Sequence, residues 1–237
     1  MKDDVQLNLE ISRNLKDVQR RIAETCTRCG RDPGAVRLVC VTKTMSAETV
    51  RLAIHAGAVL FGENYIQEAR EKCGNLAEYP VFWHFIGHLQ TNKAKYAVQL
   101  FDLIHTVDSL RLATELDREA RKIGKVQKIL IQVNIGKEAS KSGIDAESAE
   151  SLVRSLAVFP NLSVQGLMVI PPFFDEPESA RPHFRELREL RDSLNKMGIS
   201  GISLDALSMG MTGDFEAAIE EGATLVRIGT AIFGERL

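Results

Sequence analysis

"RLVCVTKTMSAETVRLAIHAGAVLFGEN", residues 37–64, holds the unit from which the fold can be read. An apolar, β-branched run gives out at Lys43, a helix begins, and a second apolar run starts at Val59 and ends in FGEN. The same alternation runs along the rest of the chain. Strand segments are expected at residues 36–42, 59–61, 82–85, 103–106, 129–134, 164–169, 203–207 and 225–228, with amphipathic helical stretches and short connections between them. A doubly wound open sheet usually has about five to seven strands, whereas eight in strict alternation with helices is the count of a closed (β/α)8 TIM barrel. The expectation is therefore an α/β barrel, one domain over residues 1–237, with no linker, repeat or low-complexity tract dividing it. An amphipathic helix at residues 5–28 precedes the first strand and is surplus to the eight. It should pack beside or beneath the barrel.

The 237 residues, 44% hydrophobic, are enough for one barrel and its core. A formal net charge of −2 with interspersed signs excludes a basic face built for nucleic acid and a polybasic membrane segment. No apolar run approaches the roughly 18 residues of a membrane span. The N-terminus MKDDVQLNLEISRNL lacks the apolar centre of a signal peptide, so a cytoplasmic protein with a small-molecule partner is expected. Cys26 and Cys29 form a CxxC without a second pair. They continue the helical stripe of Leu7, Ile11, Leu15, Val18 and Ile22, so both are read as small buried hydrophobes and not as a redox or zinc motif.

In a barrel, function gathers where the βα loops do, at the C-terminal ends of the strands. Those ends here are Lys43, the FGEN of residues 61–64, HFIGHLQTNK after the third strand, Asn134, Met168, SMGMTGD and RIGTAIFG. The last two supply small residues, hydroxyls and helix-like openings with free N–H groups, which suits a phosphate held by the loops after strands seven and eight. Lys43 beside such a site is either a counter-charge or an amine that forms a Schiff base with a carbonyl. A phosphate-bearing aldehyde satisfies both features, and pyridoxal 5′-phosphate is the common ligand of that description.

VTKT, FGENYIQE, WHFIGHLQTNK, SKSG, GLMVIP, LSMGMTGDFEAAI and VRIGTAIFG, in this order over nearly the full chain, resemble the pyridoxal phosphate homeostasis protein family. These are single-domain relatives of the alanine racemase N-terminal barrel. The resemblance implies that Lys43 carries the cofactor as a Schiff base and that Asn64 lies by its ring. It also implies that Ser208, Gly229 and Thr230 hold the phosphate and that Arg227 faces the pyridine nitrogen. Thr212 and Gly213 stand where relatives commonly have Ser and Asp, and Asp214 is expected to cap the following helix. The implied function is intracellular cofactor homeostasis, as a monomeric carrier or buffer with cofactor-free pyridoxal phosphate enzymes as recipients and no defined turnover reaction.

The alternative is a single-domain amino-acid racemase or decarboxylase. Against it stand Arg227, which makes the ring a weaker electron sink, and a chain that stops at Leu237 with no room for the second domain that supplies the opposing tyrosine in alanine racemases. A cofactor-free aldolase would usually carry its lysine on the sixth strand, where Met168 stands. Three further features are read as bland. GKEASKS, residues 136–142, lacks the P-loop glycine before its lysine, leaving Lys137 and Lys141 as rim charges. His84 and His88 flank a strand exit and are not placed for metal, though one is expected to line the pocket. Arg181, Arg185, Arg188 and Arg191, interleaved with Glu186 and Glu189, read as a solvated helix face beside the apolar stripe of Phe184, Leu187, Leu190 and Leu194.

Overall fold

The computed structural model describes residues 2–136 and 142–235. In chain order the elements are α1 (Lys2–Arg28), β1 (Arg37–Val41), α2 (Ala47–His55), β2 (Leu60–Glu63), α3 (Ile66–Asn75), β3 (Phe82–Phe85), α4 (Ala94–Leu100), β4 (Leu103–Val107) and α5 (Leu110–Lys122). They continue with β5 (Gln127–Gln132), α6 (Ala149–Leu156), β6 (Leu162–Met168), α7 (Arg181–Lys196), β7 (Ala206–Ser208), α8 (Phe215–Glu220), β8 (Leu225–Ile228) and α9 (Thr230–Phe233). Among the described residues, eight strands pair in parallel, each with its sequence neighbours, and β8 returns to β1 with Val39 opposite Arg227. The ring is a closed (β/α)8 barrel.

Strand periodicity gives the barrel two apolar layers. Val39, Leu60, Leu103, Leu130, Met168 and Leu225 pack together inside the lumen, while alternate residues such as Cys40, Phe61, Phe85, Ile104 and Ile129 face the surrounding helices. Burial pushes the Cys40 thiol up to about 12, so it behaves as a small hydrophobe. The surplus helix α1 packs beside the barrel, over α2, α8 and α9, with Ile11, Leu15, Val18, Ile22 and Cys26 buried.

The structure corrects several expectations. Cys26 is buried, but Cys29 follows the last turn of α1 and is exposed. β7 starts at Ala206, not residue 203, because Asn195 of α7 bonds both the amide and the carbonyl of Leu204 and so takes the groups a strand ladder would use. The arginines of α7 are more than a solvated face. Arg181, Arg185 and Arg188 converge on buried Glu221, and Arg181 also reaches Glu220, tying α7 to the end of α8. No helix among the described residues is long and apolar enough to cross a membrane. Lys137 and Lys141 lie outside the described residues.

Candidate functional site

A cavity of about 460 Å³ opens at the C-terminal end of the strands, and Lys43, Asn64, Arg227, Gly229 and Thr230 all line it. The loop after β6 supplies one wall through Pro172, Phe173, Phe174 and Asp175, and the loop after β7 supplies another through Met211–Asp214. Lys43 enters by strand phase: Val39 and Val41 point into the barrel, and the next position on that face is 43.

The backbone on either side of Lys43 is clamped by α3. Lys72 donates to the Thr42 carbonyl at 2.6 Å and to Glu63 Oε1 at 2.8 Å, and the Thr42 hydroxyl donates to the same carboxylate oxygen at 2.5 Å. Lys72 also reaches Glu68, whose other contact is the Thr44 amide at 2.8 Å. Thr44 holds a φ of 67°, a left-handed conformation unfavourable for a β-branched residue. A buried ion pair and a strained residue thus fix the turn that presents Lys43. Burial raises the Glu63 carboxyl above the ordinary carboxylate value, against the hydrogen bonds from Lys72 and Thr42.

The last two βα loops meet beside Gly229 and Thr230. The backbone amides of Thr212, Gly213, Gly229 and Thr230 donate to no carbonyl among the described residues, and the Thr212 hydroxyl lies 3.4 Å from the Ala231 amide. Gly210 is required in this turn: its φ is 91°, and a Cβ would lie 2.6 Å from that of Ala218. Asp214 does not cap α8, since its carboxylate turns back and accepts from the Met211 amide at 2.6 Å. Burial raises its carboxyl. The carboxylate closes the loop and leaves the neighbouring amides to the cavity.

Ser208, expected among the phosphate residues, does not line the cavity. It is fully buried, and its hydroxyl sits between Arg227 Nη1 at 2.6 Å and His105 Nδ1 at 2.9 Å. Arg227 also donates to the Val169 carbonyl at 2.9 Å. His105 Nε2 in turn lies 2.9 Å from His84 Nδ1. Because guanidinium only donates, Ser208 accepts from Arg227 and shares its second hydrogen bond with His105 Nδ1. Both imidazoles are neutral. Burial drives His105 well below its ordinary value, helped by the Arg227 charge, and burial with nearby Arg37 and Lys128 lowers His84 to about 3. Burial brings Arg227 down to about 10, still cationic at neutral pH.

Asn64 Oδ1 is buried at the cavity with no partner among the described residues, an orphan polar atom of the kind a ligand satisfies. Gly87 lets the next loop lie against Asn64, since a Cβ there would come 2.2 Å from the Asn64 carbonyl. Neither histidine of the third strand region lines this cavity: His84 faces the lumen, and His88 borders a neighbouring rim cleft and contacts Ser142. Sequence reading missed the Glu63–Glu68–Lys72 clamp, although Glu68 and Lys72 carry the i,i+4 spacing of a helical ion pair.

The family model described as alanine racemase, N-terminal domain, matches residues 13–237, and the chain belongs to that family. Within it the chain stands with the pyridoxal phosphate homeostasis proteins. It is 46% identical over 222 residues to the one from Aquifex aeolicus, covering 94% of this chain and 96% of that protein. PipY of Synechococcus elongatus, solved with pyridoxal phosphate bound, matches with a TM-score of 0.84 at 34% identity, over 95% of this chain and all of that one. Alanine racemase from Corynebacterium glutamicum shares the fold at 17% identity, with a TM-score of 0.73 over 97% of this chain and 62% of its own length.

Proposed function

We propose that this chain binds pyridoxal 5′-phosphate at the barrel mouth and serves cofactor homeostasis in the cytoplasm. In this reading it is a single-domain, monomeric carrier or buffer that delivers to cofactor-free enzymes and performs no defined turnover reaction. The observation that carries the reading is one cavity joining a primary amine, unengaged backbone amides and a buried guanidinium. When bound, the cofactor supplies an aldehyde that condenses reversibly with an amine, and a phosphate dianion. The donor set fits that group. Lys43 is the amine, and the amides at residues 212–213 and 229–230, with the Thr230 hydroxyl, receive the phosphate. Asn64 offers its orphan polar atom to the ring substituents. Arg227, fixed by Ser208 and Val169, meets the ring nitrogen as a donor, so that nitrogen stays unprotonated and the ring is a weak electron sink. Relatives named as homeostasis proteins support the same reading.

The test is Lys43→Ala. The wild type should show a cofactor absorption band, yield a borohydride-trapped lysine adduct by mass spectrometry, and reactivate an added cofactor-free aminotransferase. The variant should stay folded and lose the adduct. Trapping in the variant would assign the amine to another lysine. Fast α-proton exchange of amino acids in heavy water without reactivation of the aminotransferase would restore the racemase reading.

A further inference from the structure

At the opposite, N-terminal end of the barrel lies a further cavity of about 420 Å³, lined by Arg37, His84, Asp102, Lys128, Gln165 and Thr224 among others. Arg37 stands two residues before Val39, and Lys128 two before Leu130, and both of those apolar residues belong to the lumen cluster. Strand alternation therefore sets Arg37 and Lys128 on the lumen face. β1 and β5 are opposite staves of an eight-stranded ring, so the two cations enter the same space from facing walls. Neither makes an ion pair or a side-chain hydrogen bond among the described residues. The carboxylate in the cavity, Asp102, spends Oδ2 on the Trp83 amide at 2.8 Å.

A third polar group completes the arrangement. His84 has Nδ1 committed to His105 at 2.9 Å, so Nε2 is the ring edge that remains for the cavity. Two cations and one imidazole edge thus meet a single carboxylate around a space that admits a small molecule. Like charges facing each other across a lumen repel, and a bound dianion would convert that repulsion into charge-assisted hydrogen bonds.

We propose that this end of the barrel is a binding site for a small oxyanion of the phosphate type, held by Arg37, Lys128 and the Nε2 edge of His84. The site is separate from the mouth and does not depend on the cofactor reading.

The experiment is a titration of the full-length protein with inorganic phosphate, followed through the ring 15N resonances of His84, assigned by their loss in His84→Asn. A saturable shift of the Nε2 signal is expected, with apparent affinity weakened about tenfold or more in Arg37→Gln and in Lys128→Gln. Thr230→Val, which alters the mouth, should leave that titration unchanged. Sodium chloride at matched ionic strength should not reproduce the shift. The proposal is overturned if His84 ignores phosphate, if chloride acts equally, if the two cation variants titrate like the wild type, or if Thr230→Val abolishes the response.

Discussion

At the mouth of the barrel the cations are held in place: Arg227 by Ser208 and the Val169 carbonyl, Lys72 by Glu63, Glu68 and the Thr42 carbonyl. At the N-terminal end Arg37 and Lys128 face each other with no such partners among the described residues. Donors fixed before a ligand arrives lose little freedom on binding and select by shape. Cations left loose respond mainly to charge, and so suit a small ion more than a shaped cofactor. One hydrogen-bonded file, Arg227–Ser208–His105–His84, joins the two ends through the lumen.

The largest effect that could break this contrast is in the clamp. Lys72→Met removes the partner of fully buried Glu63 and should destabilise the protein by about 3–5 kcal/mol at neutral pH. Urea unfolding at pH 7 and pH 5 checks it. The loss should shrink at the lower pH as Glu63 takes up a proton, and an equal loss at both would mean that packing and not charge is at stake.

A smaller effect separates the residues that touch the ligand from those that support them. Thr230→Val should cost about 1.5–3 kcal/mol in binding pyridoxal phosphate and little in binding pyridoxal. Ser208→Ala should weaken both ligands alike, because its hydroxyl holds Arg227. Paired titrations decide the matter, and a loss confined to the phosphorylated ligand in Ser208→Ala would return that hydroxyl to the phosphate site.

The smallest effect sharpens the account of the file itself. His84 falls from 6.5 unfolded to about 3 folded, so between those values the unfolded chain binds more protons and stability drops as pH falls. Each such histidine contributes up to about 1.4 kcal/mol per pH unit in that window. The unfolding free energy of His84→Asn, measured from pH 6.5 downward, should fall less steeply than that of the wild type. Parallel curves would mean that His84 is charged in the folded state.

Much of this was legible in the sequence, and for a local reason. Strand and helix periods are properties of neighbouring residues, so the eight-fold alternation could be read directly, and Lys43, Gly229 and Thr230 stood out because they follow strand ends, whereas Asn64 was singled out by the family resemblance. Ser208 stood at a strand end too, but its direction depends on residues 19 and 103 positions away, Arg227 and His105. Only closure of the ring brings these together. The start of β7 was misread for a similar reason, since Asn195 lies nine positions from Leu204, on another element. Arg37 and Lys128 read as ordinary surface charges until the register shows that both point inward.

The helix α1 also bears on how the chain folds. It crosses the seam where β8 meets β1, and its polar ties to the far end span Arg28 to Glu220, Arg21 to Glu216, and Asn14 to the Ile232 carbonyl. These contacts join residues 192, 195 and 218 positions apart. Entropy charges little extra for such distances, about 0.6 kcal/mol for each doubling of loop length. The time taken is another matter, because contacts between residues far apart in sequence slow the search for the native state. A barrel seam that is bolted by a helix from one end of the chain to helices at the other rests on contacts of this slow kind. The pairing of β1 with β8 is what leaves neither strand with an exposed edge.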